Sequence, residues 1–239
     1  MDPTTTTEPT RQRKIALIGY APNVRFAPWG DTSYEIWGLN DQIVTMPRID
    51  VLFEIHSPEV IKAEGHWDRL KTLTIPVFMQ QHYDEIPTSV AYPLDLVQKR
   101  YTIQGCDRAF LTCSASLMLA VALESTPVPS RIDVFGIDMA QDSEFSHQRP
   151  SCEFFLGVAH GKGIQLSLQN SSDLLKAPFI YGFEDEKASV FKAQVVERRK
   201  WLTDMMNNAI QKESQAKEER LQYLGAVSDI EHVLKRWTA

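Results

Sequence analysis

RIDVFGIDM, residues 131–139, is the stretch of sequence that decides the fold. Its apolar and β-branched residues run almost unbroken to Gly136 and Asp138, a pattern typical of a buried strand that enters a loop. KIALIGY, residues 14–20, has the same form and also turns at a glycine. The two runs predict strands in the interior of a sheet.

Further strands and helices alternate around these two runs. Four more apolar runs predict strands: YEIWGLN (34–40), IDVLFEIH (49–56), TIPVFM (74–79) and GIQLSL (163–168). Residues 109–125 predict a short strand-like piece followed by a helix, and residues 154–160 predict another helix. The alternation predicts an α/β, Rossmann-like fold, with a mostly parallel sheet that carries helices on both faces.

Composition narrows the class of protein. Of 239 residues, 43% are hydrophobic and 23% are charged, as in globular proteins. The net charge of −6 argues against a broad electrostatic grip on nucleic-acid phosphates. Three cysteines without C-x-x-C spacing argue against a disulfide scaffold or a cysteine zinc site. No apolar stretch reaches the ~20 residues of a membrane helix, and the N-terminus lacks the apolar core of a secretory signal, so we expect a cytoplasmic protein.

The chain divides into three regions that differ in amino-acid composition and apolar pattern. Residues 1–13 are rich in Thr and Pro and predict a flexible leader, and residues 14–183 form the α/β domain. Residues 184–239 predict a helical appendage, either one helix of about 75 Å or two helices that fold back near Gly225 or in the polar bridge at 212–220. Its apolar stripe needs a partner, and contact with another subunit is favoured over packing on its own domain, which predicts a homo-oligomer.

Polar residues at the predicted strand ends are the candidates for ligand contacts. The loop that contains Gly19, Pro22 and Asn23 follows the first strand, where backbone N–H groups can face a phosphate, although a plain stiffened turn explains it equally well. Asn40, Thr112 and Ser114 carry neutral donors and acceptors that suit ribose hydroxyls or a base edge. The alternative for Thr112 and Ser114 is helix capping.

A predicted loop at residues 136–153 is dense in ionisable side chains: Asp138, Asp142, Glu144, His147, Arg149 and Glu153. A histidine and carboxylates there could supply a general base, and Arg149 could offset developing phosphate charge. The alternative is a solvated polar loop.

Carboxylates near the third predicted strand raise the question of a metal site. Asp50, Glu54, His56 and Asp138 could form an oxygen and nitrogen site, but no metal-ligand spacing supports one. The favoured alternative is that Glu54 and His56 satisfy each other, so no metal ligand is assigned.

Residues 14–183 resemble the Rossmann-like family of bacterial sialyltransferases and archaeal pterin diphosphokinases, and look closer still to uncharacterised bacteriophage proteins. Six segments carry the resemblance in order: IGYAPN (18–23), WGLN (37–40), LTCSASLMLAVAL (111–123), IDVFGIDM (132–139), CEFFLG (152–157) and NSSDLL (170–175). In the sialyltransferases the matching pieces are a G-x-P-S loop, an Asn after the second strand, a Thr-Ser-Gly turn, a strand that ends in G-x-D, a Tyr-Ile-Gly helix start and N-S-x-L-L.

The resemblance implies that the loop at residues 19–23, together with Asn40 and residues 112–114, contacts the nucleotide of an activated donor. Cys113 stands where that family has Ser. Glu153 stands where the sialyltransferases have their catalytic His, so the resemblance implies Glu153 as the base, and His147 is the alternative a few residues upstream.

These expectations combine into a glycosyltransferase-like enzyme that uses a nucleotide-sugar donor. Glu153 or His147 deprotonates the acceptor hydroxyl, and Arg149 stabilises the departing phosphate. A phage setting would make a modified nucleobase or nucleotide the acceptor. The first alternative is ATP-dependent diphosphate transfer, which needs Mg²⁺ held by carboxylates such as Asp50, Glu54 or Asp138. The second is a protein that binds a nucleotide without catalysis.

Overall fold

The computed structural model describes residues 12–140, 144–177, 179–184 and 189–237, and the chain divides into two compact units after Lys176. The first unit contains a seven-stranded sheet in which every strand pair is parallel. Its strand order is β5-β4-β3-β2-β1-β6-β7. The strands are β1 (Lys14–Ile18), β2 (Tyr34–Leu39), β3 (Val51–Phe53), β4 (Val77–Met79), β5 (Ser89–Ala91), β6 (Arg131–Phe135) and β7 (Gln165–Leu168).

Six helices of this unit connect the strands: α1 (Gln42–Thr45), α2 (Pro58–Ala63), α3 (Trp67–Leu70), α4 (Leu94–Tyr101), α5 (Ser114–Glu124) and α6 (Arg149–Gly161). A 3-10 turn at Pro22–Phe26 follows β1, and a π-helical turn at Glu144–Gln148 leads into α6. Together with the sheet, these elements confirm the predicted α/β, Rossmann-like fold.

Both faces of the sheet are covered, because successive side chains of a strand point to opposite faces. Ile15 and Leu17 of β1 pack in one apolar cluster with residues of α4, α5 and α6. The alternating residues Ala16 and Ile18 pack in a second cluster with residues of α2 and α3. These four side chains are all fully buried, which explains why residues 15–18 are all apolar and do not alternate with polar residues.

Several local predictions differ from the structure. No strand forms at residues 109–113, and the chain enters α5 directly from a loop. The third predicted strand is shortened to Val51–Phe53, so Glu54 and His56 lie beyond its end. The sequence does not predict β5 or α4. β5 has only three residues, and Leu94 and Leu96 of α4 are exposed, so neither segment has a clear apolar pattern.

Two glycines fix how β1 and β6 end. The Gly19 N–H donates to the Phe135 carbonyl at 2.7 Å, and the Ala21 N–H donates to the Gly136 carbonyl at 2.8 Å. A Cβ atom on Gly19 would lie 2.2 Å from the Gly136 carbonyl oxygen, and one on Gly136 would lie 2.4 Å from the Gly19 oxygen. Gly136 also has φ +69°, which side chains rarely tolerate. Both positions therefore require glycine.

The second compact unit contains α7 (Ser189–Trp237), one uninterrupted helix of 49 residues that passes through Gly225. The single-helix alternative is thus the one observed. Every residue from Met206 to Trp237 is exposed. None of the described helices combines the length and the apolar character needed to cross a membrane. Of the predicted leader, residues 1–11 lie outside the described residues, while Arg13 forms an ion pair with Glu35 at 2.7 Å.

The glycine contact makes a testable prediction. We expect Gly19→Ala to lower the free energy of unfolding by at least about 2 kcal/mol, because the new methyl group collides with backbone that cannot move aside. Gly157→Ala is the matched control, since nothing lies within 4 Å of its Cβ position inside α6 and alanine is the better helix former. Urea unfolding of both variants measures the difference; equal stabilities would contradict the account.

Candidate functional site

The carboxyl ends of β1 and β6 form the point at which strand order reverses. β1 pairs with β2 on one side and with β6 on the other, and the connections that leave β1 and β6 therefore diverge. In open parallel sheets, ligands bind in the crevice at such a point. Gly19 and Gly136 mark it here, so the residues around this pair are the first to consider.

Asn23 is the polar residue that joins the two strand ends, and it is 3% exposed. Its Oδ1 accepts a hydrogen bond from the Gly136 N–H. Its Nδ2 donates to Asp138 Oδ1 at 2.5 Å and to Ser171 Oγ at 2.8 Å. The structure thus brings Gly19, Asn23 and Asp138 together as the sequence predicts. Both polar atoms of the Asn23 amide are hydrogen-bonded within the protein, so this side chain holds the ends of β1 and β6 together. Pro22, beside it, is exposed and opens the 3-10 turn.

The segment after β7 closes this network from the other side. Ser172 Oγ donates to the Ile137 carbonyl at 2.9 Å, and the Asp173 N–H donates to the Asp138 carbonyl at 2.9 Å. The sequence gives Ser171 and Ser172 no role of their own, although they belong to the NSSDLL segment of the resemblance. Their hydroxyl contacts depend on the crossing of loops that are distant in sequence.

Asn40 follows β2 and differs from Asn23 in having an unsatisfied side-chain atom. Its backbone is left-handed, with φ 52°, and its N–H donates to the Phe53 carbonyl at 2.9 Å. Its Oδ1 is buried and has no hydrogen-bond partner among the described residues. An unpaired buried acceptor costs about 1–3 kcal/mol, and strained or unsatisfied groups cluster at functional sites.

Gln42 links this strand end to the glycine pair. Its Nε2 donates to the Gly19 carbonyl at 2.7 Å, and its Oε1 accepts the Leu39 N–H at 2.9 Å. The side chain is fully buried. No pattern in the sequence identifies this residue as important, because a glutamine in a four-residue helix looks like surface.

Tyr20 lies over the same strand ends. Its hydroxyl donates to Asp41 Oδ1, and the Leu39 carbonyl oxygen lies 3.3 Å from the same hydroxyl oxygen. Burial, and then the bond to Asp41, raises the pKa of Tyr20 well above its usual value. The hydroxyl therefore keeps its proton throughout the physiological range and acts as a hydrogen-bond donor.

Glu54 and His56 form a pair just beyond β3, which confirms that these two residues satisfy each other. Glu54 is fully buried, and its Oε1 lies 2.7 Å from Nδ1 of the exposed His56. Its Oε2 has no hydrogen-bond partner among the described residues and lies 3.8 Å from His66 Nε2, which itself lies 3.1 Å from Glu64 Oε2. A buried carboxylate that holds Nδ1 of a histidine leaves Nε2 free to exchange a proton.

The carboxylates proposed for a metal do not converge. Asp50 lies before β3, where it accepts the Ile36 N–H and pairs with Arg48, whereas Glu54 lies after β3. Asp138 is held by Asn23. In the part of the chain that the structure describes, no group of three or more His, Cys, Asp or Glu residues could hold a metal ion.

The N-termini of α5 and α6 meet at the carboxyl edge. Thr112 Oγ1 donates to the His147 carbonyl at 2.5 Å, and the Thr112 N–H donates to Ser151 Oγ at 3.3 Å. Cys113 is the residue that caps α5, and Ser116 Oγ accepts its N–H at 3.3 Å. The prediction that Thr112 or Ser114 caps this helix is therefore wrong; Ser114 is the first helical residue, and Thr112 ties α5 to the loop before α6.

Glu153 and Arg149 pair one turn apart on α6. Arg149 Nε donates to Glu153 Oε1 at 2.8 Å, and the same oxygen accepts the Leu175 N–H at 2.8 Å. The carboxylate thus anchors the segment that follows β7. His147 is exposed in the π-helical turn. Asp142, also named from the sequence, lies outside the described residues.

The predicted residues therefore form connected groups along one edge. Asn23 and Asp138 are linked through the 171–175 segment to Glu153, while Thr112 and Cys113 contact the start of α6. A depression of about 300 Å³ contains none of the predicted residues. Its lining consists of Lys62, Gly65, Trp67, Asp68, Lys71 and Glu85.

The bracing role of Asn23 is testable. We expect Asn23→Ala to lower the free energy of unfolding by about 1–3 kcal/mol, because the Gly136 N–H loses its acceptor while it stays buried. Asn170→Ala, at an exposed asparagine in the same unit, is the control and should change stability by less than about 0.5 kcal/mol. Calorimetric unfolding of the two variants measures the difference. If Asn23→Ala is as stable as the native protein, the bracing role is wrong and Asn23 becomes a candidate for ligand contact again.

Thiol reactivity tests the environment of Cys113. Burial raises the pKa of Cys113, and burial raises that of Cys152 well above the usual value. A raised pKa means less thiolate at a given pH, so both thiols should react slowly with Ellman's reagent near pH 7.5, with Cys113 accelerating as the pH rises. Cys106 is exposed and should give the only fast phase. A fast phase that persists in Cys106→Ser would contradict these assignments.

The chain was compared with family models, with curated proteins and with solved structures, and no match was found in any of the three. The α/β, Rossmann-like architecture therefore rests on the strand order and the helices themselves. The resemblance to sialyltransferases rests on the six sequence segments, and the functional assignment that follows rests on the geometry of the carboxyl edge.

Proposed function

We propose that the α/β unit binds a nucleotide-activated sugar at the carboxyl edge of its sheet and transfers the sugar to a hydroxyl acceptor. The observation that carries this proposal is the reversal of strand order at β1, where Gly19 and Gly136 follow the ends of two neighbouring strands. A glycine pair lets the two backbones approach closely, because neither position carries a Cβ atom that would overlap the other backbone. Open parallel sheets use this location for nucleotides.

The open half of the edge lies over β2 and β3. Three of the four buried side-chain atoms without a hydrogen-bond partner among the described residues belong to Asn40, Glu54 and His66. A ligand that brings hydroxyl or amine donors, such as a ribose or a base edge, would satisfy Asn40 Oδ1. The Tyr20 hydroxyl is a further polar group beside it.

The phosphates of the donor suit the side of the edge where α5 and α6 begin. Helix N-termini attract anions through their free N–H groups and the helix dipole. Arg149 stands in the first turn of α6 and would offset charge on the departing phosphate, in competition with its bond to Glu153.

Three side chains are candidates for the base that deprotonates the acceptor. Glu153 is the residue that the resemblance names, and His147 is its neighbour, but Glu153 already accepts bonds from Arg149 and Leu175. His56 has the geometry of a general base, because buried Glu54 fixes Nδ1 and leaves Nε2 for the acceptor. We therefore assign the proton transfer to His56 and the anchoring of the 171–175 segment to Glu153.

The same proposal includes the setting of the reaction. The protein works in the cytoplasm, or in the host cytoplasm if it is phage-encoded, and no metal ligand is assigned. A modified nucleobase or nucleotide is the acceptor, and the helical residues 184–239 assemble copies of the chain.

Donor binding is the first test. In a thermal-shift screen of nucleotides and nucleotide sugars, a ligand at 100 times its Kd stabilises the native protein by about 2.7 kcal/mol. For the best ligand, calorimetry should show Asn40→Ala binding about 5–150-fold more weakly, the equivalent of about 1–3 kcal/mol. Asn207→Ala, at an exposed asparagine of α7, is the control. If no nucleotide or nucleotide sugar stabilises the protein, the proposal is wrong.

Turnover separates transfer from simple binding. Release of free nucleotide from the donor should fall about 10²–10⁴-fold in His56→Gln, the usual contribution of a general base, with donor affinity unchanged. Glu153→Gln should lower stability and change the rate by less than tenfold. A rate lost in Glu153→Gln and kept in His56→Gln would reverse the two roles. Tight binding without turnover would leave a nucleotide-binding protein.

A further inference from the structure

The C-terminal helix α7 carries a seven-residue repeat that the proposed reaction does not use. Apolar residues recur at every seventh position: Val195, Leu202, Ala209, Ala216, Tyr223, Ile230 and Trp237. In the heptad nomenclature of coiled coils these are a positions, and the d positions three residues later are Arg198, Met205, Lys212, Glu219, Ala226 and Val233. Seven consecutive apolar a positions indicate a left-handed coiled-coil seam.

The seam is solvent-exposed in the single chain. Tyr223 is 65% exposed, Ile230 is 59% exposed and Trp237 is 85% exposed. A helix of this length gains most of its stability when such a face packs against a partner. Exposed apolar stripes on this scale mark protein interaction sites.

The charged residues of the seam determine which partner helix fits α7 and whether that helix runs parallel or antiparallel to it. In a parallel pair of identical helices, each layer sets a residue against its own copy. Arg198, Lys212 and Glu219 would then each face their own copies, in three buried layers of like charge. Such contacts are unfavourable when they are desolvated.

An antiparallel pair removes all three conflicts. Each d residue then faces an a residue of the other copy, and every a position from Val195 to Trp237 is apolar. In the register that sets Lys212 opposite Tyr223 of the other copy, Lys212 and the partner copy's Glu219 lie about one helical turn apart, a distance that two long side chains bridge easily. The helix is therefore complementary in charge to a second copy of itself running in the opposite direction.

We propose that α7 mediates self-association of the chain as an antiparallel two-helix coiled coil. This inference is independent of the sugar-transfer proposal, since it uses no residue of the α/β unit. It gives the expected oligomer a stoichiometry of two and a defined helix direction.

The mass of the full-length protein in solution tests whether the chain forms a dimer through this seam. Analytical ultracentrifugation should give twice the chain mass of 27.2 kDa for the native sequence. Ile230→Asp places two uncompensated carboxylates in the seam of each dimer and should raise the dissociation constant at least about 100-fold. Ser228→Asp is the matched control, because it adds the same charge on the outer face of the same turn.

A spin-label distance tests the direction. With Cys106 and Cys113 replaced by Ser, a nitroxide at Lys235→Cys reports on the outer face near the end of α7. A parallel dimer brings the two labels within about 25 Å, whereas an antiparallel dimer separates them by about 50 Å or more, some 35 residues at 1.5 Å each. A monomer at micromolar concentration, an equal loss of dimer in the Ser228→Asp control, or a short label distance would overturn the proposal.

Discussion

The contact between two backbones, at Gly19 and Gly136, is the constraint on which the functional edge depends. A side chain at either position would overlap the other strand's carbonyl oxygen. The close approach lets the Gly19 and Ala21 N–H groups reach across to the end of β6, which sets how both loops leave the sheet. Asn23, Asp138 and the 171–175 segment then hold these loops in place, so the geometry of this edge follows from a steric requirement of two residues.

Polar groups along this edge divide into a braced half and an open half. At β1 and β6, Asn23 has all of its amide atoms in use, and the 171–175 segment supplies the remaining partners. At β2 and β3, Asn40 and Glu54 each retain a buried oxygen without a hydrogen-bond partner among the described residues, and the Glu54 oxygen lies 3.8 Å from His66 Nε2. A buried oxygen without a donor costs stability. The proposed donor site uses the open half, because a ligand there would supply the missing hydrogen-bond donors.

The strands and the edge could be predicted because both depend on local pattern. Uninterrupted apolar runs at 14–20 and 131–139 identify buried strands, and in a parallel sheet the residues after them must meet at one edge. The partners of those residues could not be predicted, because they come from distant loops. Asn23 looks like a ligand contact in sequence yet bonds to Gly136, Asp138 and Ser171. Thr112 looks like a helix cap, but its hydroxyl is taken by the His147 carbonyl. Gln42 gives no sequence signal because its importance comes only from burial beside Gly19.

Amide chemical-shift mapping with a nucleotide-sugar titration tests the central claim most directly. In ¹⁵N spectra of the full-length protein, the account predicts that the largest shifts fall on the loops after β1, β2 and β3 and on the starts of α5 and α6, with Tyr20, Asn40 and His56 among the most affected. Shifts confined to the depression at Lys62 and Trp67 would contradict it, as would shifts spread evenly over the surface.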